Sequence, residues 1–288
     1  MNDIVALLRP TQWVKNAVVL APLIFSQRFF SVEYLLAGAT AAAAFCFASS
    51  ATYAFNDVVD RERDRTHPLK SLRPVASGAI SVPGALTIAA VLLALSLGLG
   101  AALGPWFVGI LLGYVALQVL YSTVLKHVVV LDVAALAGGF VLRAAAGVVA
   151  ADARVSPWLF ACTFLLALFL ALGKRLHELV MLGDSAGEHR EVLGRYSEKL
   201  LDRLVAGVAL ATVGVYTLYC LSPAVSAKLG EDRLYYTLPF VVFGVFRYLF
   251  LVYGREQGGN PTAVLLGDRP LQAGIVGWIA TVFLLLYR

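Results

Sequence analysis

The chain has 288 residues, 60% of them hydrophobic and only 14% charged, against roughly 25% charged in an average soluble domain. This balance excludes a soluble globular enzyme. It also excludes a disordered chain and a disulfide scaffold, since disorder needs few apolar residues and a disulfide framework needs many cysteines. What remains is a polytopic membrane protein. The net charge of +5 does not indicate a nucleic-acid partner, because Lys and Arg are dispersed among apolar runs. Cys46, Cys162 and Cys220 lie inside such runs with no CxxC spacing, so they read as packing or lipid-facing residues. Met1 to Arg9 hold no long apolar core or small-residue cleavage site, so no cleaved leader is expected.

Uninterrupted apolar stretches predict nine helices. In chain order they lie near Asn16–Phe30, Glu33–Phe55, Val82–Leu103, Pro105–Leu125, Val128–Ala150, Pro157–Gly173, Leu204–Leu221, Leu234–Tyr253 and Pro270–Tyr287. Pro22 predicts a kink or tilt in the first. With the N-terminus in the cytoplasm, 16 of the 23 Lys and Arg fall inside, and the positive-inside rule selects that orientation. The long polar segments Asn56–Ser81 and Lys174–Arg203 then face the cytoplasm, where chemistry is expected. The expected fold is all-α: one membrane domain over residues 1–288, a bundle of about nine transmembrane helices capped by polar loops.

The first polar loop opens with Asn56-Asp57-Val-Val-Asp60-Arg-Glu-Arg-Asp64. On a continuing helix, about 100° per residue places Asp57, Asp60 and Asp64 within an arc of roughly 60°. Three carboxylates on one face repel unless a cation intervenes. Mg²⁺, which takes few carboxylates and completes its shell with water and substrate phosphate, answers that need. Two prolines in His67-Pro-Leu-Lys70-Ser-Leu-Arg73-Pro74 then end the helix and return Lys70 and Arg73 toward the acids. A metal face beside fixed cations suits a diphosphate. His67 reads as a structural hydrogen-bond partner.

This acid motif after the second of nine spans resembles the UbiA superfamily of intramembrane prenyltransferases. Arg9-Pro-Thr-Gln-Trp-Val-Lys15-Asn, Leu131-Asp-Val with Gly139-Phe-Val-Leu-Arg143, Asn260-Pro-Thr and Asp268-Arg-Pro more specifically resemble its decaprenyl-phosphate phosphoribosyltransferase branch. The resemblance implies transfer of 5-phosphoribose from phosphoribosyl diphosphate (PRPP) to a polyprenyl phosphate, with release of diphosphate, for arabinan precursors of the cell wall. It implies an Mg²⁺ site at Asn56, Asp57, Asp60 and Asp64, and a multi-pass protein of the plasma membrane with its site facing the cytoplasm. It leaves open a homo-oligomer.

The second half departs from ordinary members of the superfamily, which carry a second aspartate pair. Here only Asp132 follows Tyr121-Ser-Thr-Val-Leu-Lys126, and the sixth span emerges as Lys174-Arg175-Leu-His-Glu178. On this resemblance Asp60, Lys70 and Asp132 are catalytic candidates. Lys15, Asn56, Asp57, Lys70, Arg73, Tyr121, Lys126, Arg143, Lys174, Arg175 and Glu178 are candidates for binding substrate. Lys126, Lys174 and Arg175 are assigned to phosphates, and Asp132 and Glu178 to ribose hydroxyls or to orienting the cations. Arg143, about 16 Å deeper than Asp132 on a regular helix, faces a cavity or forms a buried structural pair. Arg247 reads as structural or snorkelling. Glu188 to Lys199 can form an amphipathic surface helix, with Arg190 and Tyr196 as contacts of a lid over the substrate. The alternatives are transfer of a prenyl diphosphate to an aromatic or quinone precursor, and an anion transporter or channel.

Overall fold

A computed structural model describes residues 3–67, 70–183, 187, 191–254 and 259–288. Its described elements are all helical. Among the described residues, eight helices are long and apolar enough to cross a membrane. We number them α1 (Val32–Val59), α2 (Val82–Ala101), α3 (Pro105–Thr123), α4 (Leu131–Ala150), α5 (Pro157–Leu182), α6 (Glu198–Leu221), α7 (Leu238–Gly254) and α8 (Arg269–Leu286). The α5 helix runs nine residues past the expected Gly173, because Leu176, Leu179 and Leu182 continue its apolar stripe. The α6 helix starts six residues before the expected Leu204, where the Ser197 hydroxyl accepts from the Leu200 N–H.

The first expected span takes another form. Pro10–Leu20 is a 3₁₀ helix, and Ala21–Phe25 is α-helical. The change comes one residue before Pro22, whose missing N–H and fixed φ are tolerated at a helix start. Neither piece is among the helices long and apolar enough to cross a membrane.

The chain divides into two compact units. The first comprises residues 1–23, 28–128 and 142–155. In it α1 packs on α2 and α3 through small residues, Ala41, Ala44 and Ala48, and the Ser96 hydroxyl reaches the Ala44 carbonyl at 2.8 Å. Phe45, Phe107, Leu111 and Tyr114 fill the centre. The 3₁₀ segment is tied to α1 by Trp13 Nε1, which donates to Ser50 Oγ at 3.0 Å, and the Ser50 hydroxyl holds the short helix before it by donating to the Leu8 carbonyl at 2.7 Å. On its other side lies Gly147, where a Cβ would stand 2.0 Å from the Val19 carbonyl oxygen. Backbone cannot yield there as a flexible side chain would. Gly147→Ala is therefore expected to destabilise by about 1–3 kcal/mol or more, seen as a lower melting temperature in detergent. Gly113→Ala, with open space around it, should leave the melting temperature unchanged or slightly raised.

The second unit comprises residues 24–27, 129–141 and 156–288. Here α5 packs on α6, and α7 on α8. Phe169, Leu172, Leu176, Leu201, Val205, Tyr248 and Leu251 form its larger core. A second core carries a polar chain, with Trp278 Nε1 donating to Tyr216 Oη at 2.8 Å and Tyr216 bonded to Thr237 at 2.7 Å. Arg247 is structural: it grips Asp268 through Nε and Nη2 at 3.1 and 2.8 Å, and Asp268 also caps α8 by accepting from the Leu271 N–H. The Glu188–Lys199 surface helix is not formed over its described part. Leu193–Arg195 is a single 3₁₀ turn, and the α-helix begins only at Glu198, because Ser197 offers a better start than any residue before it. Arg190 lies outside the described residues.

Candidate active site

The polar residues expected to form the site fall into two clusters of interleaved acids and cations, one in each unit. In the first unit α1 ends at Val59, and Asp60, at φ −89° and ψ 1°, joins it to the short helix Arg61–Thr66. The continuous helix expected through Asp64 is thus broken at Asp60. The break is slight, since the Asp60 N–H bonds the Asn56 carbonyl at 2.9 Å and the Asp64 N–H bonds the Asp60 carbonyl at 2.8 Å. Asp57 and Asp64 therefore still share a face. Arg73 Nη1 binds both, at 3.2 Å from Asp57 Oδ1 and 2.6 Å from Asp64 Oδ2. Asp60 is instead held by Lys126, whose Nζ lies 2.6 Å from Oδ1, while Asn56 Nδ2 donates to Oδ2 at 3.0 Å.

Arg73 returns to the acids as its spacing requires. For Lys70 the bond seen is through the backbone, its N–H donating to His67 Nδ1 at 3.3 Å, which gives His67 a structural task. Arg9 was carried in the sequence only by the resemblance, yet its Nη2 lies 2.5 Å from Asp57 Oδ1. Arg9 sits at φ 52° and ψ 58° directly before Pro10, where a left-handed conformation costs about 1–2 kcal/mol. No local signal announces such a contact across 48 residues.

Asp57 is 2% exposed, and its Oδ2 has no hydrogen-bond partner among the described residues. Among the described residues no three His, Cys, Asp or Glu side chains stand ready as a metal cage. The donors at hand are nonetheless all oxygen, the type a hard divalent cation takes, and the orphaned Oδ2 supplies a lone pair that such an ion would satisfy. The residues present fit the group.

Deeper in the same unit, Arg143 is buried. Its Nε donates to Asn16 Oδ1 at 2.8 Å and its Nη2 to Tyr114 Oη at 2.8 Å, and Gln118 donates to the same hydroxyl at 3.0 Å. Asn16 in turn donates to Ser49 Oγ and Cys46 Sγ. The buried structural role is what this arrangement serves. Lys15, half-buried ahead of the first apolar stretch, is lowered to about 8 by burial, then by the neighbouring charges of Arg143 and Arg9. Tyr121 lies near enough to oppose that shift.

In the second unit the i, i+1, i+4 spacing of Lys174, Arg175 and Glu178 is realised on α5. Arg175 Nε lies 2.7 Å from Asp132 Oδ2, and its Nη1 lies 2.9 Å from Glu178 Oε2. Lys174 Nζ stands 3.5 Å from Glu178 Oε1. Asp132 is 0% exposed and Arg175 1%. Both Asp132 oxygens are occupied, because Tyr196 Oη donates to Oδ1 at 2.9 Å. Of the two tasks expected of Asp132, these contacts fit orienting a cation. Tyr196 is likewise buried among core residues rather than spread over a lid. Its hydroxyl also accepts the Val130 N–H at 2.7 Å. Burial, with the Asp132 carboxylate beside it, pushes the Tyr196 phenol up to about 12, so it remains a donor.

The chain is 35% identical, over 99% of its length and 87% of the relative's, to a Corynebacterium glutamicum protein named decaprenyl-phosphate phosphoribosyltransferase. A Mycobacterium tuberculosis protein of the same name is 34% identical over 97% of this chain and 92% of its own. The fold matches the structure of a UbiA homolog from Archaeoglobus fulgidus bound to GPP and Mg²⁺, with a TM-score of 0.74, 21% identity and full coverage of both chains. A family profile described as UbiA prenyltransferase family matches residues 17–267. The chain belongs to the UbiA prenyltransferase family.

Proposed function

We propose that this protein transfers the 5-phosphoribosyl group of PRPP to a polyprenyl phosphate at the cytoplasmic rim of the plasma membrane and releases diphosphate. The observation that carries this reading is the composition of the second cluster. Lys174 and Arg175 are fixed by Asp132 and Glu178, and this half of the sequence lacks the second aspartate pair that a prenyl diphosphate would require. The relatives named for this reaction support it over nearly the whole chain.

Asn56, Asp57, Asp60 and Asp64 would hold Mg²⁺, which when bound supplies charge neutralisation for the leaving diphosphate. Arg73, Lys70 and Lys126 take the remaining phosphate charge, Arg73 being pre-set by its two carboxylates. Lys174 and Arg175 take phosphate of the donor. The bond from ribose C1 to the diphosphate oxygen breaks, and an oxygen of the lipid phosphate bonds to C1 from the opposite face. That phosphate is largely ionised near neutral pH, so no strong base is required. PRPP is too charged to cross a bilayer, whereas a prenyl tail is at home in lipid.

A detergent-solubilised assay with PRPP, polyprenyl phosphate and Mg²⁺ tests the reading, with phosphoribosylated lipid and diphosphate as the expected products. Turnover that required a prenyl diphosphate and an aromatic acceptor would favour ordinary prenyl transfer. Solute flux in vesicles without turnover would favour a transporter.

Lys15 yields a pH dependence. As a phosphate ligand it must be protonated, and its ammonium loses the proton near pH 8, where lysine in water keeps it to about 10.4. The ratio kcat/KM is expected to fall as pH rises from 7 to 9. Lys15→Arg should flatten that limb, which initial rates across the range will show.

A further inference from the structure

The Tyr196 hydroxyl joins two features of the second unit that the proposed reaction does not by itself explain. One is Val130, a β-branched residue at φ 69°, a left-handed conformation that such side chains rarely adopt. The other is Asp132, enclosed two residues later at the start of α4. Tyr196 Oη accepts the Val130 N–H at 2.7 Å and donates to Asp132 Oδ1 at 2.9 Å. One oxygen thus bonds the strained turn and the carboxylate that follows it. Asp132 passes this constraint on through Oδ2 to Arg175 Nε, and Glu178 grips the same guanidinium at Nη1. A planar guanidinium fixed along two edges has a defined orientation.

We infer that Tyr196 is a positioning residue, its hydroxyl acting through Asp132 and the Val130 turn to set the pose in which Arg175 meets a phosphate of the donor. The inference rests on the proposed use of PRPP and deepens it. Ring packing and hydroxyl are separable: Tyr196→Phe keeps the ring among Leu201, Val205 and the other core residues, but removes one acceptor and one donor. The Val130 N–H and Asp132 Oδ1 then lose that partner, and the carboxylate that orients Arg175 keeps only one of its two bonds.

Two measurements on the full-length protein in detergent test this. In steady-state kinetics, Tyr196→Phe is expected to raise KM for PRPP about tenfold or more and to leave KM for polyprenyl phosphate within twofold. A general loss of packing would not split the two substrates in that way. In hydrogen exchange, the Val130 amide and its turn, residues 128–132, are expected to exchange faster in the variant. A PRPP-dependent wild type whose Tyr196→Phe variant keeps KM for PRPP within twofold would overturn the inference. A wild type that does not use PRPP would remove the proposed donor instead. The exchange arm then decides alone, and unchanged protection at Val130 would overturn the role of Tyr196.

Discussion

Asp60→Asn is expected to lower turnover at least a hundredfold while the protein still inserts, purifies and melts within a few degrees of the parent. The size follows from removing one fixed charge at a site where charge develops, which costs about 10²–10³ in rate. The small structural effect follows from the contacts of Asp60. Asparagine keeps a side-chain oxygen for Lys126, and the partly exposed position makes the change tolerable. Asp60 is therefore a better probe of chemistry than Asp57, which is enclosed and shared by two arginines. Lys70→Ala is expected to depress turnover in the same way, through the diphosphate. Near-normal rates for both variants would show that the loop is merely solvated.

The second large effect falls on stability. Asp132→Ala leaves the guanidinium of Arg175, 1% exposed, without the carboxylate at its Nε, and breaking a buried pair from one side costs about 3–5 kcal/mol. The loss should appear as a marked drop in melting temperature in detergent. Asp132→Asn, which retains an oxygen toward Arg175, should lose less. Glu178 remains at Nη1, so the cost is that of a buried guanidinium left with one carboxylate of two, and Asp132→Ala/Arg175→Met should regain part of the stability. Under the proposed function the double variant stays inactive, because no guanidinium remains for the donor. A double variant no more stable than Asp132→Ala would show that the pair is not the source of the loss.

The membrane class, the eight long spans and the acid motif were legible in the residues alone. Hydropathy is a local property, and twenty apolar residues declare a span whatever surrounds them. The i, i+7 stacking of Asp57 and Asp64 and the return of Arg73 to Asp64 nine residues on are also local geometry, and both are present. Even the slight break at Asp60 left that stacking intact.

Tertiary structure decided which cation meets which acid. Arg9 reaches Asp57 across 48 residues, Lys126 reaches Asp60 across 66, and Tyr196 reaches Asp132 across 64. Nothing in a run of neighbours encodes such distances, because these pairs form only where packed helices deliver their ends to one place. The same holds for the apolar segment that precedes α1. Its apolar residues were evident, but the close approach of Val19 to Gly147 belongs to packing against another helix. Composition therefore determined where the chain lies in lipid, whereas the pairing of charges, a property of the folded chain in three dimensions, determined what its polar ends can hold.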